Sequence, residues 1–68
     1  MLQLSYDPLW KTLDDHGFHH VDLVRHGIIT SAALKKLERD EPISLKVVGQ
    51  LCEGLGVTVD QVIEFKAV

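Results

Sequence analysis

The side chains best suited to binding chemistry lie in residues 19–39, HHVDLVRHGIITSAALKKLER. At helical spacing, one face of its second half carries three cations: Lys35, Lys36 and Arg39. Leu34 and Leu37 fall on the opposite face of the same helix. A helix that buries leucines and exposes cations can lie along a polyanion. The chemistry that this stretch suggests is therefore contact with phosphate groups.

Two short helices and a tight turn are needed to position these cations. The first helix is predicted near residues 19–26 and ends at Gly27, because glycine adopts the left-handed conformation without steric cost. Thr30 is the predicted N-cap of the second helix, residues 30–39. The expected buried set is Leu23, Val24, Ile29, Leu34 and Leu37. This arrangement is typical of a helix-turn-helix, whose second helix enters the major groove of DNA.

The starts of the predicted helices share one device, a hydrophobic residue before the cap and another five positions later. The pairs are Phe18/Leu23, Ile29/Leu34, Ile43/Val48 and Val57/Val62. The corresponding caps are His19, Thr30, Ser44 and Thr58, and Asp7 is the predicted cap of the first helix. The fold class predicted is an all-α, compact five-helix bundle, with helices near residues 7–16, 19–26, 30–39, 44–54 and 58–64.

Both ends of the chain follow a different pattern. Residues 1–6 and 63–68 alternate apolar and polar side chains with a period of two, which indicates short extended arms. The two arms could pair with each other as a ribbon, which would need packing on the helices to be stable. Alternatively, either arm could pair with a second subunit.

Composition limits the classes of protein to consider. Sixty-eight residues suit one domain, residues 1–68, and 46% hydrophobic content with mixed charge argues against disorder. No apolar run is long enough for a membrane span, no signal-peptide pattern opens the chain, and Cys52 has no partner for a disulfide, so we expect a cytoplasmic protein. Residues 19–39 carry a net charge of +2. The remaining residues carry −5, which gives the chain its net charge of −3. The electrostatic affinity for DNA should therefore be modest.

Metal binding and catalysis are weaker interpretations. Within each predicted helix, no two histidines have the i, i+4 spacing of a ligand pair, and Cys52 lies on an apolar stripe. Ser31 with Asp22 and the nearby histidines could be imagined as a triad, but so small a bundle offers little room for a pocket. We therefore expect no enzyme activity, no metal, no cofactor and no small-molecule ligand.

Three segments carry a resemblance to a known family. They are an opening with Tyr6, Leu9, Trp10, Lys11 and Leu13, a later helix with Leu51, Cys52 and Leu55, and a closing segment with Asp60, Val62, Ile63 and Glu64. With them, the chain resembles the small single-domain bacterial members of the lambda-repressor/Cro-type helix-turn-helix family. The resemblance implies a five-helix bundle, DNA binding in transcriptional control, and a dimer. It places the base-reading positions on Ser31, Ala32 and Lys35, and a phosphate contact on His20.

The chain departs from the family pattern at three points. Val24 stands where the family favours alanine, and the turn glycine, Gly27, comes one residue early, so that Ile28 takes its usual place. The recognition helix opens Thr-Ser-Ala-Ala, and alanine can contact a thymine methyl but makes no bidentate base contact. We therefore predict weak direct readout, with specificity from Lys35, from DNA shape or from a partner.

Two functional hypotheses follow. The first is a transcriptional regulator, a dimeric repressor that binds double-stranded DNA and places residues 30–39 in the major groove. Its predicted DNA-binding residues are His20, Thr30, Ser31, Ala32, Lys35, Lys36 and Arg39. The second is a protein-interaction module on the same bundle, an antirepressor or an adaptor. The net acidity, the Ser-Ala-Ala opening and the apolar arms favour the second.

Overall fold

Four α-helices and a two-stranded sheet make up the computed structural model, which describes residues 1–68. The helices are α1 (Asp7–Asp15), α2 (Asp22–Arg25), α3 (Ser31–Glu38) and α4 (Leu45–Leu55). The strands are β1 (Leu2–Ser5) and β2 (Glu64–Ala67). A single 3₁₀ turn, Val59–Gln61, joins α4 to β2.

The prediction of a five-helix, all-α bundle is wrong at its C-terminal end. The segment predicted as helix 58–64 is the 3₁₀ turn, although its start has the expected capping contact, with Gln61 Oε1 accepting from the Thr58 N–H at 3.1 Å. Strand β2 begins three residues after the turn ends, so the chain has no length in which to propagate an α-helix. The period-two pattern of the tail therefore prevails over the helix-start signal.

The two arms pair with each other in the folded chain, which is one of the alternatives that the sequence left open. Strands β1 and β2 are antiparallel, with Leu2 opposite Ala67 and Ser5 opposite Glu64. We call this pair of strands the terminal ribbon. Because an antiparallel register fixes which side chains share a face, Leu2, Leu4 and Phe65 lie on one side and Gln3 and Lys66 on the other.

Helix boundaries agree with the predictions to within one or two residues at most ends. Thr30 and Ser44 cap α3 and α4 as predicted, with their hydroxyls accepting from the N–H groups of Ala33 and Val47 at 3.2 Å. Asp7 is not a cap. It is the first residue of α1, and its N–H donates to Ser5 Oγ.

Helix α2 is shorter than predicted, four residues instead of the eight between 19 and 26. Its approach is a series of tight turns, in which the N–H groups of Asp22 and Leu23 donate to the carbonyls of His19 and His20. Histidine is a poor N-cap, and the residue that organises this start is Asp22, whose carboxylate accepts from the His19 N–H at 2.8 Å.

The core draws at least one side chain from each helix and from both ends of the chain. Its fully buried members are Tyr6, Leu9, Leu13, Leu23, Leu37, Leu51 and Val62. Of the buried set predicted for the motif, Leu23, Ile29 and Leu37 are buried, whereas Val24 and Leu34 are half-buried. This core fixes α2 and α3 to the remaining helices.

Two hydrogen bonds link distant segments around this core. The buried Tyr6 hydroxyl donates to the carbonyl of Glu41, just after α3, at 2.6 Å, and burial raises the pKa of Tyr6. The Thr12 hydroxyl donates to the carbonyl of Gln61 at 2.9 Å. Both bonds tie the N-terminal third of the chain to segments that follow the motif.

Candidate nucleic-acid interface

The turn between α2 and α3 depends on one glycine and one isoleucine. Gly27 has a φ of 69°, in the left-handed region that favours glycine, as predicted for the residue that ends the first helix. The following Ile28 packs on α4, where its side chain lies against Gly54. A β-carbon at Gly54 would lie 2.9 Å from two carbons of Ile28. Because Gly54 has no side chain, α4 leaves the space that Ile28 occupies. The turn can therefore carry isoleucine where the family has glycine.

Helix α3 presents its cations outward. Leu37 is fully buried and Ala33 and Leu34 are half-buried, so these residues define the inner face. The predicted contact residues are all exposed, at Ser31, Ala32, Lys35, Lys36 and Arg39. We refer to Lys35, Lys36 and Arg39 as the cationic face. Arg39 lies one residue beyond the helix, at its C-cap.

None of the three side chains of the cationic face has an acidic partner. The ion pairs of the chain join Asp22 to His19 and Arg25, His20 to Glu38, and Lys66 to Asp7 and Glu64. A surface lysine or arginine without a partner carries its charge into solvent, where a phosphate can replace water. The arrangement is therefore available for an anionic ligand without breaking an internal salt bridge.

His20 lies apart from the other predicted contact residues. Its ring stacks on Trp10 of α1 with the ring centroids 4.0 Å apart, and its Nδ1 lies 3.3 Å from a carboxylate oxygen of Glu38 on α3. The side chain remains 45% exposed, so one edge of the ring faces solvent. The sequence placed Trp10 only in the opening segment of the resemblance and did not single out Glu38, because neither contact follows from spacing along the chain.

A groove of about 240 Å³ runs between α3 and the start of α4. Its walls include Thr30, Ala32 and Lys36 on one side and Ser44 on the other. The hydroxyls of Thr30 and Ser44 are both occupied in capping their helices. Sequence reasoning missed this second wall, since Ser44 was identified only as a helix start. Lys46, two residues later, is exposed and has no ion-pair partner.

The donors available at the start of α3 are few. Ala32 offers only a methyl group, and Ser31 a single hydroxyl. Lys35 is a point charge with three donors, without the planar fork by which arginine recognises guanine. The side chains here that could hydrogen-bond to a base edge are therefore Lys35 and Ser31, and Ala32 could contact only a methyl group.

Asp22 stabilises the start of α2 through charge. Its carboxylate accepts from the His19 N–H and lies 3.9 Å from the Arg25 guanidinium. The hydrogen bond, together with the positive charges nearby, holds the pKa of Asp22 below its usual range. This residue is thus a structural element of the motif, and the triad suggested by Ser31, the histidines and Asp22 has no contact to support it.

The other singled-out residues occupy ordinary structural positions. His16 Nδ1 lies 2.7 Å from the Thr12 carbonyl at the end of α1, and His26 stacks on Phe18. Cys52 is half-buried beside the core. No three His, Cys, Asp or Glu side chains converge as metal ligands, and no helix is long and apolar enough to cross a membrane.

Comparison with known proteins agrees with this geometry. The family model for the Cro/C1-type HTH DNA-binding domain matches residues 8–67. Among solved structures, the chain is similar to the crystal structure of the transcriptional regulator VanUg, Form II, with a TM-score of 0.88 and 29% sequence identity. That match covers 98% of this chain and 89% of VanUg. A search of curated proteins gives no significant match. The chain belongs to the Cro/C1-type helix-turn-helix family of DNA-binding domains.

Proposed function

We propose that this protein is a transcriptional repressor that binds double-stranded DNA as a homodimer, with α3 in the major groove. The observation that carries the proposal is the cationic face, three exposed cations without internal partners on α3 and at its C-cap, in a Cro/C1-type domain. The similarity to VanUg, a transcriptional regulator, supports the regulatory role. Repression requires only that the protein occupy its DNA site.

Each exposed residue of the motif receives a role from its position. Lys35, near the centre of the exposed face of α3, reaches base edges, with Ser31 and Ala32 one turn earlier. Lys36 and Arg39 bind phosphates on the strands that flank the groove. Thr30 fixes the start of the helix through its cap.

His20 contacts a phosphate through the exposed edge of its ring. Its stacking on Trp10 holds the ring in one orientation, so less side-chain freedom is lost on binding. Glu38 lies close enough to hydrogen-bond to one ring nitrogen, which leaves the other for the phosphate.

Dimerisation compensates for the small number of contacts in one domain. A single copy offers only a few phosphate contacts, and the body of the chain is acidic. Two copies on adjacent half-sites double those contacts, because the second half-site is bound at a high effective concentration. Half-sites one helical turn of DNA apart are the expected arrangement.

The decisive experiment is fluorescence anisotropy of a labelled duplex, titrated with protein at several salt concentrations. We expect binding that weakens as salt rises and that is lost, by roughly a hundredfold or more, in the variant Lys35→Ala/Arg39→Ala, since each phosphate or base contact contributes on the order of 1–3 kcal/mol. The matched control is Lys11→Ala/Arg25→Ala, which removes the same charge from α1 and α2 and should change binding much less.

A different result would favour the interaction module. If the folded protein binds no duplex even at low salt, or if both double variants weaken binding equally, the cationic face is not the DNA contact. The exposed apolar residues of the terminal ribbon, Leu2 and Phe65, would then be the surface to test, by changing each to a polar residue.

A further inference from the structure

His20 and Glu38 form a side-chain pair between the approach to α2 and the end of α3. The Nδ1 of His20 lies 3.3 Å from a carboxylate oxygen of Glu38. No lysine or arginine forms an ion pair with Glu38, so His20 is its one ion-pair partner. The two side chains are 45% and 47% exposed, so the pair lies at the surface, where a ligand can contact it.

The stacking of His20 on Trp10 fixes which ring nitrogen faces outward. The angle between the two ring planes is 22°. Trp10 is half-buried against the core and therefore provides a fixed surface for the imidazole. Because stacking confines the imidazole to one plane and Nδ1 faces Glu38, Nε2 is the nitrogen left for an external partner.

The other charged groups around this ring offset one another. From α1, Lys11 and Asp14 line the same surface depression as His20, and their formal charges are opposite. His19, the neighbour in the chain, also lines the depression, but its ring lies near a different carboxylate. The charged group that faces His20 from α3 is Glu38. Glu38 therefore dominates the electrostatic environment of the ring.

Glu38 determines which tautomer of neutral His20 the chain holds. An ionised carboxylate only accepts hydrogen bonds, so the ring nitrogen that faces it carries the hydrogen. Neutral imidazole has one N–H group, so Nε2 is left with a lone pair. A phosphate oxygen also only accepts, and neutral His20 therefore has no hydrogen to donate to it. The imidazolium form, with a hydrogen on both nitrogens, can contact Glu38 and a phosphate together.

The net charge of the pair favours the same form. With His20 neutral, the pair carries the single negative charge of Glu38, which repels a phosphate. Protonation of His20 brings the net charge of the pair to zero and makes the contact with phosphate a charge-assisted hydrogen bond, which is roughly twice as strong as a neutral one. Trp10 adds to this preference, because the face of an indole attracts a cation.

We propose that Glu38 is a positioning residue that makes DNA binding depend on a proton, so that His20 contacts a phosphate only in its protonated form. Histidine is the side chain whose charge ordinarily changes between about pH 5 and pH 8, so the contact responds to pH within the physiological range. The inference rests on the proposed function, because it describes the regulation of the same interface.

The test is the anisotropy titration of the full chain with a labelled mixed-sequence DNA duplex, at about pH 6 and about pH 8 and at one fixed salt concentration. We expect the wild type to bind roughly tenfold more tightly at the lower pH, the change that one charge-assisted hydrogen bond provides. The phosphodiester groups stay ionised at both pH values, so the change comes from the protein.

Two variants assign this dependence to the pair. His20→Gln supplies an amide N–H that donates to phosphate in either condition, so its affinity should differ by less than about twofold between the two pH values. Glu38→Gln keeps the shape of the side chain and removes its charge. Its amide can donate to Nδ1, which leaves the hydrogen on Nε2, so binding should tighten mainly at the higher pH and the dependence should fall to roughly threefold or less.

The matched control is His19→Gln, which replaces the adjacent histidine and should retain the wild-type dependence on pH. Circular dichroism checks the folding of each variant, since His20→Gln also removes the stack on Trp10. A second measurement needs no DNA. Long-range nitrogen–proton NMR spectra of the free chain at about pH 8 identify the tautomer of His20, which should carry its hydrogen on Nδ1.

Three outcomes would overturn the proposal: equal wild-type affinity at the two pH values, a His20→Gln variant with the wild-type dependence, or a free chain in which neutral His20 carries its hydrogen on Nε2. The failure of the proposed function looks different. A chain that binds duplex equally at both pH values and still requires the cationic face retains that function and loses only this regulation. A chain that binds no duplex at either pH overturns both.

Discussion

The helix-turn-helix motif and the terminal ribbon expose opposite kinds of side chain. In the motif, Leu23 and Leu37 are buried and the cationic face is in solvent. In the ribbon, Leu2 and Phe65 are largely exposed, and the polar side holds Lys66 in ion pairs with Asp7 and Glu64. The motif thus buries its apolar side chains within the chain and leaves its cationic face without ion pairs. The ribbon instead pairs its charged side chains and leaves some of its apolar side chains exposed.

This difference indicates which kind of partner would suit each region. Free cations favour a phosphate-bearing partner, and exposed apolar side chains beside an open strand edge favour a protein. The two surfaces are nevertheless connected, because Tyr6 continues from the ribbon into the core and donates to the carbonyl of Glu41, just after α3.

The largest expected effect is a difference in how much a substitution in the motif and one in the ribbon lower the free energy of unfolding. Leu37→Ala removes a fully buried side chain from α3 and should reduce the free energy of unfolding by about 3 kcal/mol. Phe65→Ala, at an exposed site, should change the free energy of unfolding of the monomer by less than about 1 kcal/mol. Denaturant titration at low protein concentration measures both. Equal losses would show that the ribbon contributes to the core as strongly as the motif does.

A second prediction concerns the contact that supports the turn of the motif. Gly54→Ala adds a carbon 2.9 Å from two carbons of Ile28, and both branch directly from its β-carbon, so they cannot easily move away. The clash should cost about 1–3 kcal/mol against a gain of about 1 kcal/mol in helix propensity, so the variant should be less stable than the wild type.

The matched test for that contact is a double-mutant cycle with Ile28→Ala, which removes the opposing atoms. In this background Gly54→Ala should stabilise the chain, because only the helix propensity remains. Thermal unfolding of the four proteins measures the coupling. If the effect of Gly54→Ala is the same in both backgrounds, the contact does not limit how closely the turn approaches α4.

The smallest expected effect is a loss of folding stability at acid pH, to which each region contributes. Asp22 in the motif and Asp7 at the ribbon both have a pKa below the usual range, because the His19 N–H and Lys66, respectively, favour their charged forms. A carboxylate with a lowered pKa in the folded state stabilises the protein above its ordinary range and loses that contribution as pH falls through the lowered value. Stability should therefore decrease at acid pH.

Asparagine variants assign that decrease to a region. Asp22→Asn and Asp7→Asn should each lower the melting temperature near neutral pH and flatten its fall in acid. Asp15→Asn, at an exposed carboxylate without an ion pair, is the control. Melting temperatures measured across the acid range give the comparison, and curves that remain parallel to the wild type would contradict it.

Local signals in the sequence were sufficient for most of the motif. The caps at Thr30 and Ser44, the glycine that ends the first helix and the exposed face of α3 are all as predicted, because each depends on residues within about one turn of one another. Family membership also followed from residues along the chain, and it is confirmed by the match over residues 8–67. The roles of the exposed residues in binding DNA stay a prediction.

Contacts between distant residues could not be read in the same way. The stacking of His20 on Trp10, its approach to Glu38, and the packing of Ile28 on Gly54 join residues that are 10 to 26 positions apart. The length of α2 was overestimated because the staple and cap pattern does not distinguish a full helix from a series of tight turns. These features depend on where whole elements lie.

The sequence by itself determined which stretches are helical around the motif, which face of α3 carries charge, and that both termini are extended. The tertiary structure decided that the termini pair with each other and that the predicted helix 58–64 is a short 3₁₀ turn followed by the start of β2. The physical reason is the range of the interactions. Capping and helical periodicity act between near neighbours, whereas strand pairing joins Leu2 to Ala67 across the whole chain, and only the packed core brings them together.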